Sequence, residues 1–334
     1  MIAFNVQRKP TSTSRTGEPM KVQTLDARNA SRLERLSRRS GFTLVELLTV
    51  IAIIGMLGAI SISTVRGAIR SARETQTRTT IAKIDSVITS VYEKYQYRRV
   101  ETVWRDNANV AIEFKSRAYQ RVMRVRDLLR CDMPCCYAEV DTAPKFGNDV
   151  SPLQQVYRQE IQAAMNRMGT NNPDDLQNLN AELLYLVVTN ADPESRSSFS
   201  EREIADVDGN GLMEFVDGWG KPICWMRWAP GLIYSDRQPR CFVGNDPVPN
   251  RERDPFDPVD IIEDMDGVGS SGWFLVPYVF SAGPDGLYGL TSADVFGDSM
   301  DDPFTYSRAN PDATAGSPLD ASYKDNIDNH TLIR

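Results

Sequence analysis

The chain has 334 residues, 41% of them hydrophobic and 25% charged, with a formal net charge of −7 and a single histidine, His330. The acidic balance argues against nucleic acid as the main partner. One histidine near the far end leaves nucleophile chemistry of the serine–histidine kind little to draw on.

Residues 1–41 are basic, polar and without apolar periodicity, a leader that stands outside fold reasoning. Met20 offers a second start within it. An apolar run of 21 residues follows, 42–62, in which Glu46 is the only ionisable side chain. About 20 such residues cross the hydrocarbon core of a bilayer as a helix. A secretory signal places its small cleavage residue after a shorter apolar region. Here the small residue, Gly41, precedes the run, so cleavage there retains the helix. Arg28, Arg32, Arg35, Arg38 and Arg39 lie before the span and Arg66, Arg70, Arg73 and Arg78 after it. That count favours a cytoplasmic amino terminus only slightly.

The stretch Gly41-Phe42-Thr43-Leu44-Val45-Glu46 resembles the cleavage and methylation motif of type IV pilins and type II secretion pseudopilins. The resemblance implies that prepilin peptidase cuts after Gly41 and methylates the new amino terminus at Phe42. It also implies a role for Glu46 in recruiting the subunit to a growing filament of pilin or pseudopilin subunits. An inner-membrane precursor with a periplasmic head follows from the same likeness. A carboxylate at that depth is costly and wants a partner; the Phe42 amine of a neighbouring subunit would be one. The competing reading is a plain signal anchor, with Glu46 protonated or close to the headgroups.

Past the span, Ile81, Ile84, Ile88, Val91 and Tyr95 recur at helical spacing, which predicts one assembly helix over 42–97. Gly55 and Ala59 form a small-xxx-small pair on its membrane part. Residues 98–200 read as a helical insertion. Val110, Phe114, Ala118, Val122, Val125 and Leu129 form one stripe, flanked by Lys115, Arg117, Arg121, Arg124, Arg126 and Arg130 on faces expected to be solvated. Ser151-Pro152 starts another helix, with Leu153, Tyr157, Ile161, Met165 and Met168 inward. A third is expected over 174–190, with Leu176, Leu179, Leu183 and Leu186 inward. Residues 201–302 read as a small sheet region, with strands at 222–228, 232–234 and 273–281. The tail, 303–334, is polar and aperiodic and is expected to be poorly ordered. Of five cysteines, Cys224 and Cys241 are spaced to close a hairpin-sized loop, while Cys131, Cys135 and Cys136 are too crowded to assign. Zinc lacks a four-ligand spacing.

The segment 206–217 has the spacing of a calcium loop. Asp206, Asp208, Asn210, Glu214 and Asp217 stand at positions 1, 3, 5, 9 and 12, Gly211 at 6, and the Leu212 carbonyl at 7. Acids packed so closely repel one another without a cation. Aspartate at the last position resembles dockerin-type loops, and Lys221-Pro222 precludes an exit helix. The same letters also spell an acidic, glycine-rich turn without metal. Asp217-Gly218-Trp219-Gly220-Lys221-Pro222 resembles the segment that leads into the sheet of the major pseudopilin. Ser281 to Gly289, followed by Asp294, resembles its carboxy-terminal calcium loop, which implies Asp285 and Asp294 as side-chain ligands and the Ser281 carbonyl as a helper. Asp264-Met265-Asp266-Gly267, within an insertion at about 237–272, is too short a match to define a site.

The expected fold is α+β, a long amino-terminal membrane-spanning helix packed on a head with extra helices and a small antiparallel sheet. The expected function is that of a structural filament subunit with calcium as a structural cofactor, not of an enzyme. A membrane-anchored binding or adhesive protein that never enters a filament is the alternative.

Overall fold

With no proline to interrupt it, the chain forms a 53-residue helix, α1 (Leu44–Gln96). The structure, a computed structural model, describes residues 41–100, 117–144, 151–191, 193–243, 246–247, 254–258, 261, 274–290 and 316–331. The chain divides into two units, Met1–Ile62 and Ser63–Arg334. In the first, the apolar side chains of α1 face outward: Leu44, Ile54 and Ile60 are 80%, 62% and 65% exposed. Residues of this helix meet the length and composition needed to cross a membrane.

In the second unit the same helix becomes amphipathic. Ile81, Ile84, Ile88, Tyr92 and Tyr95 are buried, with Val91 packed against the same core. Buried polar groups on this face are all engaged. Thr80 and Lys83 donate to Glu203 (2.7 and 2.9 Å), and the Tyr92 hydroxyl donates to the Leu275 carbonyl (3.0 Å).

The fold is α+β. Helices α2 (Arg117–Asp132), α3 (Tyr137–Asp141), α4 (Pro152–Met168) and α5 (Leu179–Ala191) pack on one another, and α5 lies against the strands. Strands β1 (Ile204–Ala205) and β2 (Glu214–Phe215) form one antiparallel pair, and β4 (Phe242–Val243) and β5 (Asp246–Pro247) another. The central sheet has the order β3-β6-β7, from Cys224–Met226, Tyr278–Ser281 and Ile327–Asp328, and both pairings are antiparallel. Trp225 faces Val279 across it, and Phe280 faces Asp328.

The free edge of β3 is covered by one side chain. Asn180 of α5 accepts from the Trp225 N–H (2.9 Å) and donates to the Trp225 carbonyl (2.9 Å) and to the Cys135 carbonyl (2.8 Å). An amide here imitates a neighbouring strand, which closes an edge that would otherwise present open backbone groups. Just past β3, the fully buried Arg227 pairs with Glu139 through both terminal nitrogens and donates to the Met133 carbonyl (2.7 Å).

Helix α4 starts as the sequence predicts. Ser151 accepts from the Leu153 N–H (3.3 Å), Pro152 takes the first helical position, and Gly169 ends the helix at φ 70°. Met168, expected inward, is 45% exposed because it lies in the final turn. Several other expectations are corrected. The helix placed over 174–190 begins at Leu179; Leu176 lies before it, donating its N–H to Pro173 in a 3-10 turn that Asn172 caps. Residues 232–234 form no strand, since Pro230-Gly231 turns the chain and the Leu232 N–H returns to the Ala229 carbonyl (3.2 Å).

The arginine-bearing faces of α2 are not solvated throughout. Arg126 and Arg130 are 6% and 7% exposed, paired with Asp254 and Asp127, while Ala118 of the apolar stripe is exposed. Val110, Phe114 and Lys115 lie outside the described residues. None of the five cysteines is in a disulfide; the Cys224 side chain lies against the Tyr288 hydroxyl instead. Within the stretch expected to be unordered, residues 316–331 supply β7 and a fully buried His330. The Ser235 hydroxyl accepts from the Arg237 and Gln238 N–H groups, so its own hydrogen goes to His330 Nδ1 (2.9 Å). His330 Nε2 then donates to the Pro277 carbonyl (3.0 Å), which fixes a neutral tautomer.

Candidate functional site

The start of α1 is set by a reciprocal cap. The Thr43 N–H and hydroxyl both donate to Glu46 Oε2 (2.9 and 2.8 Å), and the Glu46 N–H donates to Thr43 Oγ1 (3.2 Å). This is a capping box, in which two otherwise orphaned N–H groups are satisfied within one turn. The Thr-x-x-Glu signal for it stands in the sequence at 43–46, a partner for Glu46 within its own chain that neither sequence reading of this residue includes. Both bonds from Thr43 fall on Oε2, so Oε1 takes none from it. Gly41 and Phe42 precede the helix without regular secondary structure, and Phe42 is 79% exposed.

The acidic loop connects β1 to β2. Asp206, exposed, turns its carboxylate onto its own loop, accepting from the Gly209 and Gly211 N–H groups (2.7 and 3.0 Å). Gly211 sits at φ 88°, a left-handed conformation that strains any side chain, so the position favours glycine. Asp208 and Glu214 point to the same place, where they meet Glu182 of α5. One carboxylate oxygen from each of the three lies within 4.8 Å of the others. Asn210 is buried among them, its amide nitrogen donating to Glu182 Oε1 (2.6 Å) and Asp208 Oδ2 (3.1 Å) and its oxygen accepting from the Leu212 N–H (2.8 Å). Glu214 accepts from the Val207 N–H (2.9 Å) and from Asn178 (3.2 Å).

Burial, and then the charges of Asp208, Glu214 and Asp206, push the Glu182 carboxyl up to about 7, although Asn210 opposes this. Burial does the same to Glu214, also pushed up to about 7, against the Val207 N–H and with Asp208 adding to it. All three carboxylates are oxygen donors suited to a hard cation. Glu182 was not among the predicted ligands; its signal is a lone carboxylate within the apolar run of α5, Leu-Asn-Ala-Glu-Leu-Leu.

Asp217, the expected last ligand of the loop, is elsewhere. Its Oδ1 accepts from the Trp219 and Lys221 N–H groups (2.8 and 2.9 Å) and its Oδ2 from the Ser281 hydroxyl (2.6 Å). Two predicted ligands of separate loops thus meet in a hydrogen bond. Asp285 caps the turn of its own loop through the Leu287 N–H (2.8 Å). Asp294, like Asp264 and Asp266, lies outside the described residues.

The family model described as Prokaryotic N-terminal methylation motif matches residues 36–62. No curated protein and no solved structure matches the chain. The match covers the basic approach, Gly41, the capped helix start and the apolar span together, the processing signature of a pilin-like precursor. Such a precursor is a substrate of prepilin peptidase and carries a membrane anchor, here the apolar start of α1 up to Ile62.

Proposed function

We propose that this protein is a structural subunit, a pseudopilin or type IV pilin-like protein, of a periplasmic or surface filament. Prepilin peptidase removes the leader at Gly41 and methylates Phe42. The precursor is held in the inner membrane by residues 42–62, with its amino terminus cytoplasmic and residues 63–334 largely in the periplasm. Assembly then draws the apolar helix out of lipid and packs it against copies in neighbouring subunits.

One observation carries this reading: the large apolar side chains of α1 up to Ile62 are exposed, Glu46 is the one carboxylate among them, and the cap at Thr43 lies two residues past Gly41. An exposed surface of that size needs lipid or other helices to cover it. Within that environment Glu46 Oε1 has room to take a second partner, and the amine of a neighbouring Phe42 supplies charge where charge is expensive. A place in a type II secretion apparatus is one form of this proposal. Large additions to the compact family pattern, at 98–200 and 237–272, favour a specialised subunit.

The test is the mass and amino-terminal sequence of protein from membranes, followed by filament assembly with Glu46→Ala. A methylated Phe42 terminus, with Glu46→Ala processed but absent from sheared filaments, is the expected result. Retention of the leader beside an active prepilin peptidase overturns it. Absence of the wild-type chain from sheared filaments leaves a membrane-anchored binding protein as the better description, whereas normal assembly of Glu46→Ala keeps the subunit and removes Glu46 from its recruitment.

A further inference from the structure

We propose that Glu182, Asp208 and Glu214 bind one calcium ion, which joins helix α5 to the acidic loop. Glu182 thereby takes the place that the loop's own spacing gives to Asp217.

Three observations lead here. The first is convergence: carboxylates from a helix, a loop and a strand bring one oxygen each to within 4.8 Å of the others. Oxygens that share one calcium ion, with bonds of about 2.4 Å, lie no farther apart than about 4.8 Å, so the three can share one ion. A set of several protein carboxylates suits calcium better than magnesium, which keeps most of its waters. The second is the state of Glu182. It is fully buried, its Oε1 takes the Asn210 amide, and its Oε2 has no hydrogen-bond partner. A buried carboxylate oxygen with no donor is costly, and it needs a ligand that the surrounding protein does not provide.

The third is how the other loop groups are spent. Asp206 caps Gly209 and Gly211, and Asp217 is held by Trp219, Lys221 and Ser281. Asn210 presents its nitrogen, not its oxygen, to the carboxylates, so it orients Glu182 and Asp208 and does not ligate. Among the described residues, every hydrogen-bond donor to Glu182, Asp208 or Glu214 is neutral. The nearby cation, Arg167, donates to the Asn210 carbonyl (3.1 Å) and to none of the three. The cluster therefore carries negative charge with no positive partner among the described residues, and water molecules would complete a coordination shell of six to eight oxygens around calcium.

The test uses the full chain in detergent, stripped by a chelator, in thermal unfolding and in calorimetric titration with calcium chloride. Wild type is compared with Glu182→Gln, Asp217→Asn and Asp285→Asn. We expect wild type to bind calcium and to melt higher in its presence. Glu182→Gln binds at least about tenfold more weakly, as loss of a metal-site contact does. In chelator the order reverses, and Glu182→Gln melts above wild type because an uncompensated buried charge is gone. A merely structural Glu182 would lower the melting temperature in both conditions. Asp217→Asn and Asp285→Asn keep the response that Glu182→Gln loses.

Calcium binding by Glu182→Gln as tight as wild type overturns the proposal. So does a response lost in Asp217→Asn or Asp285→Asn and kept in Glu182→Gln, which gives the ion to the twelfth loop position or to the carboxy-terminal loop. Absence of binding by wild type at about 1 mM calcium, within the range of extracellular modules, also overturns it and leaves protons to balance the cluster. Should Glu182→Gln fail to fold, Asp208→Asn, half-buried on the loop, decides in the same way: weaker binding supports the site, unchanged binding ends it.

Discussion

Ser281 donates its hydroxyl to Asp217 Oδ2 across 2.6 Å, tying the turn after β2 to the end of β6, 64 residues away. Asp217 is 2% exposed and accepts two backbone N–H groups besides. Asp217→Ala therefore strands three donors, and we expect a loss of about 3 kcal/mol in urea unfolding. Asp217→Asn keeps an oxygen for both N–H groups and should cost about 1 kcal/mol, since the Ser281 hydroxyl can turn to accept. Equal losses for the two variants would mean that the carboxylate charge, and not its hydrogen bonds, is what the junction uses.

Asn180 is a second such test. Its one amide serves Trp225 on both backbone groups and Cys135 on a third. Asn180→Ala is expected to destabilise the chain by about 2–3 kcal/mol, and to speed amide exchange at Trp225. Unchanged exchange at that amide would show that the edge of β3 is closed by something else.

Acid stability should follow two groups in two windows. Burial is the main cause that lowers the His330 imidazole to about 4 from an ordinary 6.5, with the Arg237 charge adding to it. Its contribution is complete above 6.5 and is lost as pH falls through 4, about 3 kcal/mol in all. For Glu203, burial would raise the carboxyl, but bonds from the Ser200 N–H, Lys83, Thr80 and the Ser200 hydroxyl outweigh it and hold it at about 2. That contribution is present above 4.5 and lost towards 2. Denaturant midpoints for wild type and His330→Gln, measured from pH 7.5 to 3.5, should converge as pH falls. A constant gap across that range would contradict the assignment of a buried, neutral imidazole.

Gly218 marks where the turn after β2 meets α1. A Cβ there would lie 2.5 Å from the Arg73 carbonyl oxygen and 2.7 Å from the Arg73 Cα, and the Gly218 N–H donates to Thr77 (2.9 Å). The obstacle is backbone and cannot swing aside. Gly218→Ala should cost about 2–3 kcal/mol, as overpacking in a tight contact does. Calorimetry reads the result directly, and a loss below about 0.5 kcal/mol, the size of an ordinary surface change, would refute the close contact.

Features written as periodicity or as local chemistry were legible. The stripe from Ile81 to Tyr95 repeats often enough to fix a buried face, and Ser151, Pro152 and Gly169 mark both ends of α4 by their own conformational preferences. Features that need two distant segments were not. Glu182 is one acid in an apolar helix, and only the approach of the β1–β2 loop makes it part of a cluster. Ile327 and His330 sit in a polar tail whose strand is two residues long, too short to show alternation. The arginines of α2 have the spacing of a solvated surface until Asp254, 128 residues from Arg126, meets one of them. Asp217 was assigned by its place in a loop pattern, yet the neighbouring Trp219 and Lys221 N–H groups take it first. Local hydrogen bonds compete with a distant centre, and spacing alone does not say which wins.

The capping box at Thr43 also sets a boundary for chemistry performed on the backbone. Gly41 and Phe42 lie immediately outside it, exposed and unwound. Proteases need to grip peptide bonds that are not already committed to helical hydrogen bonds. By ending the helix at Thr43, Glu46 keeps winding from creeping back over the Gly41–Phe42 bond. On the proposed cleavage after Gly41, the same carboxylate first keeps that bond presentable, so Glu46→Ala should be processed more slowly than wild type, though to completion, before it fails to assemble.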